Sequence, residues 1–451
     1  MPDSKSTMAE AIVSLNSGDF TEARTLCRQI LSDDPDHTGA WHLCGIAHAQ
    51  LDEFQQATDC FEKAVQFGPD VANYHYNLGL AYRRLDRLED TVNCYRRALE
   101  LDPDMFEAHN NLGNTLNDLG NTDEAAKCYG EFVERYPDNS IGHFNLGNVL
   151  QEVGEYDDSI SHLRKAVELD PDFSTARENL GRSLAGIHDF KGALEVWNAW
   201  LEHDPGNAVA QHMAAAIHGE NVATRCDDDY IRHVFDEDFA ATFDQQLARL
   251  EYRGPELMKE ALQSLDPQPG NAEVLDAGCG TGLSAEILRP VSSRLVGLDL
   301  SADMLRVARN RKLYDDLVED EITRYFESHP DSFDMVICSD TLCYFGELSQ
   351  VLSAAMSCLH HDGVFIFSLE SQVAAEEADV DQEDDSDSKP VDDDTEAQPY
   401  VLKPHGRYCH DEAYVRDMLA GAGLNVVRIV HETLRVERGR AVPGMVFTAS
   451  R

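Results

Sequence analysis

A glycine-rich turn between two apolar runs has the residue types and spacing needed to bind a nucleotide-like cofactor. The first run ends near Asp276, and Gly278, Gly280 and Gly282 alternate with other residues directly after it. Glycine adopts positive φ and lets a ligand approach the backbone without a Cβ in the way. A strand, a glycine turn and a helix in this order form the nucleotide-binding corner of an open α/β sheet. The second run ends in Asp299, whose carboxylate could accept hydrogen bonds from both ribose hydroxyls.

Two classes of cofactor use such a corner. Dinucleotide enzymes use Gly-x-Gly-x-x-Gly, with a helix N-terminus facing the pyrophosphate. Here the spacing is Gly-x-Gly-x-Gly, and a carboxylate at Asp276 suits an ammonium group better than a pyrophosphate. The stretch, together with Asp299, closely resembles class I methyltransferases that use S-adenosylmethionine. The resemblance implies that the glycine loop packs against the methionine part and that Asp299 holds the ribose; the alternative is a glycine turn without a ligand.

The resemblance extends over roughly the last 225 residues and implies further cofactor contacts. It places Met304 against the adenine, although packing within a helix would explain the same residue. It places Asp320 at the adenine amine, with an exposed loop acid as the alternative. It also places Ser339 among the cofactor-binding residues, at the end of a strand that reaches the reaction centre.

Alternation of strand-like and helix-like segments predicts a Rossmann-like α/β domain with a mostly parallel seven-stranded sheet. The seven predicted strands lie at 273–275, 294–298, 317–320, 333–340, 363–368, 425–430 and 444–449.

Methyl transfer from a sulfonium is an in-line displacement, which requires alignment, exclusion of water and in some cases removal of a proton. His410 is the predicted general base, because imidazole accepts a proton near neutral pH; the alternative is a structural histidine. Tyr344 and Asp340 are rival candidates for positioning the acceptor. Arg407 could clamp an acidic acceptor or pair with a neighbouring acid. The Phe-Asp pairs within 230–244 resemble the lid helices of small-molecule methyltransferases.

The first half of the chain repeats itself every 34 residues. The repeat is marked by prolines at Pro35, Pro69, Pro103, Pro137, Pro171 and Pro205. Glycine, leucine, small and bulky apolar columns share this period, a pattern that resembles tetratricopeptide repeats with one helix pair each. We therefore predict an all-α solenoid at 1–220, made of six repeats and a capping helix at 207–218, followed by the α/β domain at 221–451.

One column of this array could bind a partner. Asn77, Asn111, Asn145 and Asn179 are spaced by 34 residues in the first helix of each repeat, and we call them the asparagine ladder. First helices line the concave face, where side-chain amides can pair with an extended peptide backbone. A similar ladder occurs in the repeats of O-linked N-acetylglucosamine transferases. The alternative is a common residue choice for a solvated helix face.

The net charge of −46, from 83 acidic and 37 basic residues, argues against nucleic acid and anionic membranes as partners. Part of the charge lies in 374–398, where an acidic composition predicts a disordered surface insertion.

The eleven cysteines include no Cys-x-x-Cys pair, and the chain has no His-Glu-x-x-His motif. These absences predict no metal site and a reducing cytoplasm as the compartment. The cysteines of the repeats, among them Cys44 and Cys60, are expected to be inert packing residues. No run approaches the 18 apolar residues of a membrane span, and the first ten residues lack a signal core, so we expect a soluble, unexported protein.

The preferred interpretation is an S-adenosylmethionine-dependent methyltransferase acting on a small or carrier-bound acceptor, with repeats that dock a protein or peptide partner. Segments 230–244, 252–257 and 407–410 resemble a bacterial group in which tetratricopeptide repeats are fused to a methyltransferase. Two alternatives stay open: a protein methyltransferase that recruits its substrate through the repeat groove, and a non-catalytic scaffold with a cofactor-sensing domain. The glycine spacing counts against a dinucleotide oxidoreductase.

Overall fold

The computed structural model describes residues 4–265, 270–372, 398–437 and 439–451. The chain divides into two compact units, Met1–Ile187 and His188–Arg451. The acidic segment 374–398 lies outside the described residues except for its last residue. The domain boundary at residue 220 was placed by the repeat pattern and stays a prediction.

The first unit consists of helices joined by short turns. The helices are α1 (Ser4–Asn16), α2 (Phe20–Asp33), α3 (Thr38–Gln50), α4 (Phe54–Phe67), α5 (Ala72–Arg84), α6 (Leu88–Leu101), α7 (Phe106–Asp118), α8 (Thr122–Arg135), α9 (Ser140–Glu152), α10 (Tyr156–Leu169) and α11 (Ser174–Gly186). Each helix packs on the next, so each apolar stripe is buried against its neighbours.

Glycine in the first helix of a repeat allows the helix pair to pack closely. A Cβ built on Gly79 would lie 2.6 Å from the ring of Tyr95, and one on Gly113 would lie 2.6 Å from the ring of Tyr129. Real Cβ atoms do not approach other atoms so closely, so any larger residue would push the helices apart. The structure thus gives a physical reason for the glycine and bulky columns.

A further column, six residues after each repeat proline, donates a side-chain N–H to the carbonyl of that proline. The donors are Trp41, His75, His109, His143, Arg177 and Gln211. The nitrogen–oxygen distance is 2.8 Å for His75 and 3.0 Å for His109. Each bond satisfies the hydrogen-bonding need of a carbonyl at the turn between repeats, where no helical amide donates to it. Sequence comparison missed this column because four different residue types supply the donor.

The second unit places helices on a large sheet. Its helices are α12 (Phe190–His203), α13 (Ala208–His218), α14 (Asp228–Val234), α15 (Glu237–Arg249), α16 (Gly254–Gln263), α17 (Ala285–Leu288), α18 (Ala302–Arg311), α19 (Ile322–Ser328), α20 (Ser349–Cys358) and α21 (Glu412–Ala422). Its strands are β1 (Ala272–Ala277), β2 (Ser292–Asp299), β3 (Asp316–Glu319), β4 (Phe333–Cys338), β5 (Leu359–Ser371), β6 (Tyr400–Leu402), β7 (Tyr408–His410), β8 (Asn425–Glu437) and β9 (Arg440–Ser450).

The sheet has the Rossmann-like order that the alternating pattern predicts. Strands β3, β2, β1, β4 and β5 lie side by side in that order, and every pair among them is parallel. Strand β9 is antiparallel to β5 on one side and to β8 on the other. The predicted count of seven strands is corrected to nine within the described residues, because β6 and β7 form an additional antiparallel pair attached to the end of β5. Both are three residues long, too short to show a period in sequence.

The central strands are buried on both faces. In β1, Leu275 and Ala277 join a core cluster on one face, while Val274 joins a separate cluster with α16 residues such as Met258. Helices cover each face, as expected for parallel strands joined by crossovers. This arrangement leaves the carboxyl ends of the strands as the edge where a site can open.

A helix, α13, spans the residues predicted to cap the solenoid, and the capping role stays a prediction. Its N-cap is Asn207, whose side chain accepts a hydrogen bond from the amide of Ala210 at 3.0 Å. Within the second unit, His212 lies 2.8 Å from the carbonyl oxygen of Gly406, and its ring lies 4.2 Å from that of Tyr230 between centroids. Helix α13 is therefore a packing element of this unit.

Across the part of the chain that the structure describes, every helix is too short or too polar to cross a membrane.

Candidate functional site

The glycine turn after β1 has the conformation that its sequence predicts. Gly278, Gly280 and Gly282 have φ of +75°, +55° and +85°. In this left-handed region other L residues are strained. The amides of Gly278 and Cys279 donate to the carbonyl of Leu298 at 2.7 and 2.9 Å, which ties the turn to the end of β2.

Asp299 lies directly beside this turn. One of its carboxylate oxygens accepts from the amide of Gly280 at 2.8 Å, and the other accepts from the amide of Ser301 at 2.9 Å. Burial raises the pKa of Asp299, and these backbone hydrogen bonds oppose the rise. Each oxygen keeps a further lone pair, so the carboxylate can brace the loop and still accept from a ligand.

Asp320, at the end of β3, is a neighbour of Asp299. Its amide donates to the carbonyl of Asp299 at 3.2 Å. Its carboxylate accepts from Arg324 at 2.6 Å and from the amide of Glu321 at 2.8 Å. The structure thus brings Asp320 to the same edge as Asp299, with its carboxylate already paired.

Asp276 is buried beneath the loop rather than exposed at its surface. Tyr314, a residue outside every motif of the sequence analysis, donates its hydroxyl to this carboxylate at 2.6 Å. Burial raises the pKa of Asp276 to about 7, although the Tyr314 hydrogen bond opposes this rise. A carboxyl group with this pKa is partly protonated near neutral pH, and a cation placed beside it would favour the ionised form.

Met304 lies within α18 and is only 1% exposed. This burial matches the helix-packing alternative, and contact with an adenine stays a prediction.

Three phenylalanine rings pack together beside the glycine turn. Phe239 and Phe243 belong to α15, Phe235 directly follows α14, and the three ring centroids lie 5.5–6.1 Å apart. Phe243 would lie 3.7 Å from a Cβ built on Gly280. The ring of Tyr344 contacts Phe235 edge-on, with 5.9 Å between centroids. We call these four residues the aromatic cover.

Polar contacts hold the aromatic cover in place. The hydroxyl of Ser301 donates to the carbonyl of Phe235 at 2.6 Å. Asp244, one residue after Phe243, accepts from the hydroxyl of Thr281 at 2.5 Å and from Arg311. The aromatic cover is therefore tied to the glycine turn through Thr281 and to the start of α18 through Ser301.

Ser339 and Asp340 follow β4, at the same edge of the sheet. The hydroxyls of Ser339 and Tyr252 lie 3.1 Å apart. Asp340 has a φ of +53°, and its amide donates to the hydroxyl of Ser368 at 2.8 Å. Its carboxylate pairs with Arg435 at 3.2 Å, so this acid is committed to an ion pair.

That ion pair belongs to a buried charge cluster that sequence reasoning missed. Arg435 and Glu370 are each 2% exposed at the side chain and pair with one another. Arg435 also contacts Glu437 at 2.5 Å, and Arg407 contacts Glu370 at 2.6 Å as well as Glu437. Arg407 therefore pairs with neighbouring acids, the second of its two predicted roles. The sequence signal is weak, because these residues lie far apart in the chain.

His410 does not have the surroundings of a general base. It lies in β7, is 0% exposed, and directs its Nε2 to the carbonyl of Gly346 at 3.1 Å. Its Nδ1 is buried without a hydrogen-bond partner among the described residues. Burial lowers the pKa of His410 to about 4, so the imidazole is a poor proton acceptor. The geometry corresponds to the structural alternative, and Tyr344 and Asp340 remain the candidates for positioning an acceptor.

The asparagine ladder makes contacts between successive repeats of the first unit. Asn77 donates to His42, Asn111 to the hydroxyl of Tyr76, Asn145 to Asn110 and Asn179 to Asn148, over distances of 2.6–3.1 Å. All four side chains are partly exposed. The amide nitrogens thus link adjacent repeats, and binding of a peptide by this column stays a prediction.

Known proteins resemble each half separately. Residues 275–367 match the methyltransferase domain family, and residues 14–78, 79–118, 106–139 and 140–173 match tetratricopeptide repeat families.

Curated relatives of this chain include methyltransferases. The ubiquinone biosynthesis O-methyltransferase of Yersinia enterocolitica is 31% identical over 100 residues, which are 21% of this chain and 41% of the relative. Human methyltransferase-like protein 27 is 42% identical over 84 residues, which are 18% of this chain and 34% of the relative. The chain thus spans less than half the length of these relatives.

Among solved structures, the tetratricopeptide-repeat protein YrrB, described as having an unusual peptide-binding site, is 23% identical, with a TM-score of 0.36 over 39% of this chain and 90% of YrrB. The family matches establish the organisation: this chain joins tetratricopeptide repeats to a methyltransferase domain.

Proposed function

We propose that the second unit transfers a methyl group from S-adenosylmethionine to a small or carrier-bound acceptor, and that the repeats dock a protein or peptide partner. The observation that carries this proposal is the turn of three positive-φ glycines braced by the carboxylate of Asp299. The match to the methyltransferase domain family supports it.

The residues at the turn fit this cofactor in their chemistry. A Cβ built on Gly280 would have open space around it: among the described residues, Phe243 alone comes within 4 Å. Asp299 offers acceptors for ribose hydroxyls, and Asp276 offers a carboxylate for an ammonium group. When bound, the cofactor supplies an electrophilic methyl group on sulfur.

The chain's own contribution is positioning and exclusion of water. The aromatic cover places hydrophobic rings beside the turn, with Phe243 next to Gly280, and this favours a small acceptor with an apolar body. Ser339 and Tyr252 place a pair of hydroxyl groups at the end of β4, where they can orient a polar group of that acceptor. Asp340 and Tyr344 follow Ser339 in the chain. We keep their proposed positioning roles, with Asp340 held in place by its ion pair with Arg435 and Tyr344 held by its contact with Phe235.

Protein methylation is the second candidate, and the asparagine ladder is the observation that favours it. Its amide oxygens are in register at 34-residue intervals and suit the N–H groups of an extended peptide. In that case the first unit would recruit the substrate itself.

Cofactor binding is tested by isothermal titration calorimetry with S-adenosylmethionine and, separately, NADH. We expect binding of S-adenosylmethionine to weaken by about 10- to 100-fold in Asp299→Ala, because hydrogen bonds to a charged group contribute about 1.5–3 kcal/mol. Asp303→Ala is the control, since Asp303 pairs with Arg306 outside the turn and should leave binding unchanged. Tight binding of NADH with no response to S-adenosylmethionine would overturn the cofactor assignment.

The acceptor class is tested with methyl-labelled S-adenosylmethionine and a cell extract that is separated into protein and small-molecule fractions. We expect enzyme-dependent label in the small-molecule fraction. Label in protein that disappears when the four ladder asparagines are changed to alanine would instead support the second candidate. The absence of enzyme-dependent label in both fractions would contradict a transferase of either kind.

A further inference from the structure

One repeat of the first unit has metal-binding side chains where the other repeats have apolar ones. Cys44 occupies the column that holds Leu78, Leu112, Leu146 and Leu180 in the later repeats. His48 occupies the column of Tyr82, Leu116, Leu150 and Leu184. Both changes fall on α3, one helical turn apart, so the two side chains share a face.

The structure brings a third donor to this face. Cys60 on α4 lies against the pair, and donor atoms from Cys44, His48 and Cys60 all lie within 4.8 Å of one another. All three residues are buried. Donor atoms that share one zinc ion lie about 3.5 Å apart, because Zn–S is about 2.3 Å and Zn–N about 2.0–2.1 Å. Shifts of about 1 Å in the side chains would therefore suffice.

A carboxylate orients the histidine. Glu53 lies 2.5 Å from Nδ1 of His48 and also pairs with Arg24 at 2.8 Å. Zinc-bound histidines commonly donate their other ring N–H to a carboxylate, which fixes the ring and the tautomer. With Nδ1 held in this way, Nε2 is the nitrogen left to bind a metal.

A further thiol belongs to the same part of the core. Cys27 on α2 belongs to the same buried cluster as Cys44 and Cys60. It stands in the column that holds Phe61, Tyr95, Tyr129, Leu163 and Trp197 in the other repeats. Two thiolates neutralise a divalent cation, which lowers the cost of burying it.

We propose that Cys44, His48 and Cys60 form a structural zinc site in the second repeat, with Cys27 as the neighbouring thiol that can supply the fourth ligand. This inference departs from the expectation, drawn from the missing Cys-x-x-Cys motif, that the cysteines of the repeats are inert. Helical spacing and the repeat period bring the ligands together instead.

The test uses the full chain, purified with reductant, freed of metal by a chelator and then dialysed against zinc. We expect one zinc per chain by elemental analysis and a melting temperature that rises by several degrees with zinc. Cobalt(II) should give thiolate charge-transfer absorption in the near ultraviolet.

The matched variant is Cys44→Leu with His48→Leu, which introduces the residue that later repeats use at both positions. It should fold, bind no zinc and show no zinc-dependent rise in melting temperature. Cys94→Ser is the control, because Cys94 stands in the column of Cys60 but within a repeat that has Leu78 in place of Cys44; it should bind zinc like the parent chain.

Should the double variant fail to fold, Cys60→Ser in the cobalt-loaded protein gives the same information through loss of thiolate absorption. A parent chain that binds no zinc, a variant that binds it equally, or a Cys44–Cys60 disulfide recovered from protein kept under reductant would each overturn the proposal.

Discussion

Gly278→Ala is expected to abolish measurable binding of S-adenosylmethionine and to lower the free energy of unfolding by about 2–5 kcal/mol. A Cβ at this position would lie 2.1 Å from the hydroxyl oxygen of Thr341, and φ is +75°. The left-handed conformation costs a non-glycine residue about 1–2 kcal/mol, and overpacking costs about 1–3 kcal/mol. Thr341 cannot move away freely, because its hydroxyl bonds the carbonyl of Ser339 at 3.1 Å. The turn must shift, and the amide of Gly280 would move away from Asp299.

Gly423→Ala separates the two causes. Gly423 has a φ of +84° at the end of α21, and a Cβ there would meet no atom of the described residues within 4 Å. It should therefore lose only the conformational part, about 1–2 kcal/mol, and bind the cofactor normally. Urea denaturation gives the stabilities and calorimetry gives the affinities. A Gly278→Ala chain with unchanged affinity would show that the turn does not contact the cofactor.

The parts of the fold that were predictable are those whose cause is local or periodic. The three alternating glycines predict a turn, because residues with a Cβ are strained at the positive φ that such a turn requires. The repeats are predictable from periodic columns such as the glycine column. In it, Gly79 and Gly113 lie against Tyr95 and Tyr129, which leave no room for a side chain. Strand β1 and its partners alternate with helices in the order that right-handed crossovers require.

The features that the sequence did not predict have one of two causes. Some depend on contacts between residues far apart in the chain, and others depend on a donor group that different residue types supply. Arg435 lies 65 residues after Glu370 and 95 after Asp340, so sequence gives no sign that these charges meet. His410 was selected by residue type, yet the β6–β7 pair that buries it is too short to be predicted. The column of donors to the repeat prolines is periodic, but tryptophan, histidine, arginine and glutamine share only an N–H group there.

Arg435→Met is expected to lower the free energy of unfolding by about 3–5 kcal/mol at neutral pH, the range for breaking a buried ion pair. Arg435 is 2% exposed and pairs with Asp340, Glu370 and Glu437. Glu370, equally buried, would keep Arg407 and lose its other arginine. The double variant Arg435→Met with Glu370→Gln should recover part of the loss, because it removes the charge left buried.

The pH dependence of stability identifies the same cluster. Burial by itself favours higher pKa values for Glu370 and Glu437. The positive charges of Arg407 and Arg435 outweigh this effect, so both pKa values are lowered. The pKa of Glu437 falls to about 2, and that of Glu370 is held well below its usual value. Acids with depressed pKa values stabilise the fold above their unfolded pKa of about 4.3, and this stability is lost as the pH falls toward 2.

Urea denaturation between pH 7 and pH 2 should therefore show a steep loss of stability below about pH 4.3 in the parent chain and a shallower one in Arg435→Met. Arg294→Met is the control, because Arg294 and Asp316 form a pair that is half exposed at each side chain. Such a pair contributes about 0–1 kcal/mol, so this variant should lose stability at low pH as steeply as the parent chain does. An equal loss of stability at low pH in all three chains would mean that the Arg435 cluster does not stabilise the fold.

Arg435 also holds the carboxylate of Asp340 at the end of β4. We therefore expect Arg435→Met to weaken acceptor binding, measured in labelling assays, by more than it weakens cofactor binding.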